Sequence, residues 1–135
     1  MCYVPNDQTL LVSGSEDQTV RFWNTQTGQT ISLLDMPNDV QGIAVSPDSK
    51  YVAVACSDGD CHIYHVEDNS LFTVLPGNKY DVLRTVTFSP DSRHIATDSV
   101  DRTIKIWRLD HSPELVKRLE GHEVRLRRGR LTGLY

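Results

Sequence analysis

The chain has 135 residues, 39% apolar and 24% charged, with a formal net charge of −4, an ordinary globular balance. No run of 18 apolar residues occurs, which argues against a membrane-spanning helix, and Met1-Cys2-Tyr3-Val4-Pro5 lacks the basic-then-apolar profile of a secretory signal. Three cysteines, an odd number, read as reduced thiols of an intracellular protein, cytoplasmic or nuclear.

Taken in order, the chain reads as short strands with turn residues between them. Cys2 to Val4 is a stub, followed by apolar or alternating runs near 9–14, 19–24 and 29–34. A second set lies near 40–46, 51–56, 61–66 and 71–75, and a third near 83–89, 94–98, 103–108 and 114–119. Pro5-Asn6-Asp7, Thr27-Gly28, Glu67-Asp68-Asn69 and Pro76-Gly77 punctuate the links, as turns require. In Val20 to Trp23, Val20 and Phe22 alternate with Arg21 and Trp23; Ile104 and Ile106 alternate likewise with Lys105 and Trp107. Period two over four residues marks a half-buried strand. No helix is predicted.

One phrase recurs. E-D-Q-T-V-R-F-W ends at Trp23, S-D-G-D-C-H-I-Y at Tyr64 and V-D-R-T-I-K-I-W at Trp107. Asp17, Asp58 and Asp101, like the three aromatics, are spaced by 41 and 43 residues. A fixed period of that length signals a repeat architecture. Each aspartate falls in a tight turn, where its carboxylate can accept backbone N–H groups. Ser46-Pro47-Asp48-Ser49 and Ser89-Pro90-Asp91-Ser92 form a second repeated turn.

With these phrases and Gly121-His122, the chain resembles WD40 repeats, the blades of β-propellers. The resemblance implies an all-β, partial (open) β-propeller of about three four-stranded antiparallel blades. Blade one would span 1–34 with its first strand truncated, blade two 35–77 and blade three 78–120, with 121–135 the start of a further repeat lost into a basic tail. It also implies a hydrogen-bonded set in each blade, joining the turn aspartate, a histidine, a strand Ser or Thr and the tryptophan. Here Ser13 or Ser15 would serve Trp23, and Thr97 or Ser99 would serve Trp107. Met36 stands in the histidine slot of blade two and Lys79 in that of blade three, with His122 the one histidine kept after a glycine, so no set is complete. With Asp101, Trp107 and Thr97 or Ser99, blade three is expected to keep most of its own. Partner-binding positions carried over from the family are Glu16, Gln41, Ser57, Arg84 and Val100.

A closed ring needs about 4–8 blades. Three leave two outer faces, expected to carry residues such as Leu11, Phe22, Ile95 and Ile106. The chain is therefore read as part of a propeller that self-associates or pairs with another propeller fragment.

Catalytic motifs are missing: there is no G-x-S-x-G, Walker loop, H-E-x-x-H or C-x-x-C, so no enzyme, cofactor or metal site is expected. His62 and His65 fall on opposite faces of a strand. Asp58 and Asp60 lack the rest of a calcium loop. Cys56 and Cys61 flank one turn, and a disulfide between them is the lesser reading. The first 116 residues hold twice as many acidic as basic side chains, whereas 117–135 hold six basic against two acidic. The arginine run of 125–130 could touch nucleic acid, but without lysines or interleaved aromatics it reads as a solvated tail. The expected function is a non-catalytic interaction scaffold for a protein or peptide. The alternatives are a nucleic-acid-associated regulatory fragment and a truncated product without a role of its own.

Overall fold

The computed structural model describes residues 2–77, 82–109 and 113–120. All regular structure among them is strand, in three antiparallel sheets of four. Sheet one is β1 (Cys2–Val4), β2 (Asp7–Gly14), β3 (Thr19–Asn24) and β4 (Thr30–Asp35). Sheet two is β5 (Val40–Val45), β6 (Tyr51–Cys56), β7 (Cys61–His65) and β8 (Leu71–Leu75). Sheet three is β9 (Leu83–Phe88), β10 (His94–Ser99), β11 (Thr103–Arg108) and β12 (Glu114–Glu120). In each, chain order is spatial order, as short hairpin links dictate.

The sheets stack as blades, and their seams make two apolar clusters. Between blades one and two lie Val12, Val20, Phe22, Val52, Val54 and Cys56; between blades two and three lie Ala55, Cys61, Ile63, Val86, Ile95 and Trp107. The alternation explains the division. Val52, Val54 and Cys56 face blade one, while Ala53 and Ala55, one residue out of phase, face blade three. Blade two is thus buried on both faces. Each side chain of this size taken from water contributes roughly 1.5–3 kcal/mol, and Phe22, Ile63 and Ile95 are at most 2% exposed.

Two expectations change here. Phe22 and Ile95 lie in the seams rather than on outer faces; Leu11 and Ile106 lie on the faces turned away from blade two. Periodicity shows which residues share a face, but not which neighbour that face meets. Cys56 and Cys61, for the same reason, sit in different seams on opposite faces of the sheet and cannot face each other.

Polar links repeat from blade to blade at one end. Asn6 N–H donates to Ser49 Oγ at 2.9 Å, and Asp48 N–H to Ser92 Oγ at 3.0 Å. Within each turn the first serine (Ser46 or Ser89) and the aspartate (Asp48 or Asp91) bond each other, while Ser49 and Ser92 adopt left-handed backbone. The repeated Ser-Pro-Asp-Ser phrase therefore both closes a hairpin and splices neighbouring blades. The inner strands β5 and β9 run close together at Gly42, where a Cβ would come within 3.1 Å of the Arg84 carbonyl oxygen.

Candidate functional site

At the opposite end the β2–β3, β6–β7 and β10–β11 turns share one design. Asp17 Oδ1 accepts the Thr19 N–H at 3.0 Å, Asp58 Oδ1 the Asp60 N–H at 2.9 Å, and Asp101 Oδ1 the Thr103 N–H at 2.9 Å. The next residue is left-handed in all three: Gln18, Gly59 and Arg102, with φ of 71°, 90° and 68°. The Thr19 hydroxyl bonded to Asp17 holds that carboxyl below its ordinary range. Partial burial works against Asp101, yet its bonds from Thr103 bring it below the range too.

Backbone bonds tie these turns to the inner strands. Val40 N–H donates to Ser15 O across the blade one–two seam, Ser57 N–H to Asp39 O, and Val100 N–H to Val82 O, all at 3.0–3.1 Å. Gly77 closes the same end: its N–H donates to Asp60 Oδ1 at 2.9 Å, and a Cβ there would lie 1.7 Å from the Gly59 carbonyl oxygen. Glu16, Gln41, Ser57, Arg84 and Val100 all fall on this end, and all but half-buried Ser57 are exposed. The Ser15–Val40 bond draws Glu16 beside the start of β5, where Gln41 lies. The Val100–Val82 bond does the same for Val100 and the start of β9, where Arg84 lies.

The repeat aromatics meet the expected bond in blade one and not in blade three. Trp23 Nε1–H donates to Ser13 Oγ at 2.8 Å, so Ser13 rather than Ser15 is its partner. Trp107 Nε1 is buried and bonds neither Thr97 nor Ser99 nor anything else among the described residues. Among the described residues, blade three lacks the indole link of the expected set. In blade two, the Tyr64 hydroxyl donates to Met36 Sδ at 3.5 Å, so two departures from the family pattern compensate each other. Lys79, His122 and the 123–135 tail lie outside the described residues.

One grouping was not legible in a search for linear motifs: Cys56, Asp58 and His62 each bring a donor atom within 4.8 Å of the others. The β6–β7 register holds the signal, since Val54 opposes His62 and Cys56 is two residues on, on the same face. Burial, reinforced by Asp58 and Asp60, pushes the Cys56 thiol up to about 12.

Comparison with known proteins places this architecture. A "Protein LST8 homolog" of Drosophila melanogaster is 32% identical over 117 residues, covering 81% of this chain and 37% of the relative. The "Target of rapamycin complex subunit wat1" of Schizosaccharomyces pombe is 33% identical over 112 residues, 78% of this chain and 34% of its own length. The chain thus spans about a third of the length of these curated relatives. Among solved structures, "Crystal structure of RRP9 WD40 repeats" superposes with a TM-score of 0.82 at 20% identity, over 90% of this chain and 38% of that one; it shares the fold. The profile of the family "WD domain, G-beta repeat" matches residues 1–24, 28–65 and 69–108. The last two matches each join the outer strand of one sheet to three strands of the next, so the sequence repeat bridges the seams. The chain belongs to the WD domain, G-beta repeat family, and its sheets are blades of a WD40 β-propeller.

Proposed function

We propose that the chain supplies three blades to a larger, non-catalytic WD-repeat ring, and that this ring holds a protein partner on the end where the aspartate turns meet the starts of β5 and β9. One observation carries the reading: Glu16, Gln41, Arg84 and Val100 stand exposed on an end whose backbone is fixed by turn and cross-blade bonds. Rigid scaffolds that present exposed polar, charged and apolar positions in this way are built to recognise, and arginine is enriched among the residues that dominate interfaces. Two relatives are named as subunits of a target of rapamycin complex. The partner proposed here is a subunit of such an assembly, met in the cytoplasm.

The test is affinity purification of the tagged chain from its source cells, scored by recovery of target of rapamycin complex proteins. Gln41→Arg with Arg84→Glu should cut recovery at least tenfold. Lys50→Glu, exposed at the other end, should leave it unchanged. Equal recovery by both variants would overturn the assignment of this end. The non-catalytic part is checked separately: esterase, phosphatase, nuclease and protease substrates should turn over at background rates. A turnover abolished by Asp101→Asn in folded protein would refute it.

A further inference from the structure

We propose that Cys56, Asp58 and His62 form a binding site for a transition-metal ion of the zinc class, on the β6–β7 hairpin beside the seam between blades one and two. Their donor atoms lie within 4.8 Å of one another. His62 Nε2 is buried and makes no hydrogen bond, and its nearest acidic atom, Asp58 Oδ2, is 3.7 Å away. That gap exceeds a hydrogen bond. It matches the edge of a tetrahedron around one ion, since metal–ligand bonds of about 2.0–2.3 Å put neighbouring donors roughly 3.3–3.8 Å apart. Binding would draw in, by side-chain rotation, whichever of the separations now lies between that range and 4.8 Å.

The hairpin holds the three donors in place from both sides. Asp58 Oδ1 is committed to the Asp60 N–H, which leaves Oδ2 aimed at His62. Cys56 ends β6 with no exposed surface, and its own N–H is bonded across the hairpin to Asp60 O. The Asp58 side chain is 23% exposed and gives the ion a way in. A thiolate with an imidazole selects zinc, cobalt or copper over calcium and magnesium, which take oxygen. Three protein ligands leave a fourth position for water or an outside donor. On binding, the Cys56 thiol gives its proton to solvent and its sulfur bonds the ion. His62 coordinates through the Nε2 lone pair with its proton on Nδ1.

The test uses the full chain, reduced and stripped with a chelator, titrated with Co²⁺ and then Zn²⁺. One equivalent of Co²⁺ should produce a thiolate-to-metal charge-transfer band with intense tetrahedral d–d absorption, and Zn²⁺ should displace it. Cys56→Ser should abolish the charge-transfer band. Asp58→Asn and His62→Gln should weaken Zn²⁺ at least tenfold in competition with a chromogenic chelator. His65→Gln, on the face packed with Tyr51 and Phe72, should change nothing. Added Zn²⁺ should raise the melting temperature of the wild-type chain and not that of His62→Gln. If Cys56→Ser does not fold, the Asp58 and His62 variants decide the matter alone. Absence of the charge-transfer band at stoichiometric Co²⁺, or Zn²⁺ binding untouched by both of those variants, would overturn the site.

Discussion

The flank of blade one and the seam between blades two and three hold the same repeat position in opposite surroundings. Trp23 has its hydrogen bond to Ser13 and the Arg21 guanidinium 5.8 Å above its ring, yet no described blade packs over it. Trp107 has a blade against it and is 8% exposed, yet its N–H is unpaired among the described residues. Tyr64 stands between these cases, half-buried in the blade one–two seam and bonded to Met36. The lesson is that packing and polar satisfaction are separate contributions, and a repeat need not supply both at every copy. An indole in a seam contributes through the area it buries, and an indole on a flank through the bond it makes.

The two flanks of the stack are unequal as well. On blade three, Thr87, Ala96 and Ile104 are only 2%, 0% and 1% exposed, although their face is turned away from blade two. On blade one, Tyr3, Leu11 and Trp23 form a row across three strands, with Tyr3 59% and neighbouring Leu33 41% exposed. The expectation of two bare flanks holds for blade one and not for blade three. At roughly 25 cal/mol per Å², about 400 Å² of apolar surface corresponds to about 10 kcal/mol of drive toward burial. The purified chain should therefore self-associate through blade one, and Leu11→Lys with Trp23→Ser should shift it toward monomer in light scattering. A wild-type chain that is already a monodisperse monomer would break the comparison at its root.

Truncation comes next in size. Trp107→Ala should cost about 3–5 kcal/mol, the usual loss for a buried aromatic. Trp23→Ala should cost about 1 kcal/mol, mostly its hydrogen bond. Tyr64→Ala should fall between them. Thermal melts by circular dichroism in the monomeric Leu11→Lys background, where no second copy covers the flank, rank the three. Trp23→Ala melting as low as Trp107→Ala there would show that the flank of blade one is packed within the monomer.

A subtler pair separates the two contributions directly. Trp23→Phe removes a made bond, so it should cost about 1 kcal/mol in urea unfolding. Trp107→Phe removes a buried N–H whose unpaired state costs about 1–3 kcal/mol, while the lost ring volume costs about 1 kcal/mol. Its stability should stay level or rise. A clear loss for Trp107→Phe would mean that its N–H has a partner.

Most of the fold was legible because alternation and a period of 41 and 43 residues are properties of the chain itself; every predicted strand is found within two residues of its expected limits. What was not legible depends on three dimensions. The period does not say which neighbour a face meets, so the seam positions of Phe22 and Ile95 are not written in it. Repeat slots imply a Trp107 bond, but whether it forms depends on local distances. Cys56, Asp58 and His62 escape a search along the sequence because two of them lie on different strands and meet only through the hairpin register. The partner-binding positions could be placed on one end, since turns and strand starts are sequence features, but their partner is not written there.

The smallest expected effect concerns the aspartate turns, and it should be the same at the two ends of the comparison. Asp17 and Asp101 each bond the Thr two residues on, and both carboxyls lie below their ordinary range when folded. A depressed carboxyl contributes stability that is present above its unfolded value of 3.8 and is lost as pH falls through the folded value. The wild-type melting temperature should therefore drop as pH falls below about 4. Asp17→Asn and Asp101→Asn should each flatten that drop, because an amide oxygen can still accept the Thr19 or Thr103 N–H but carries no charge to titrate. The device is local to the turn, so the two variants should flatten the profile by similar amounts, even though the tryptophans six residues further on respond so differently. If Asp101→Asn alone changed the acid limb, the surroundings of blade three rather than the turn would be setting its carboxyl.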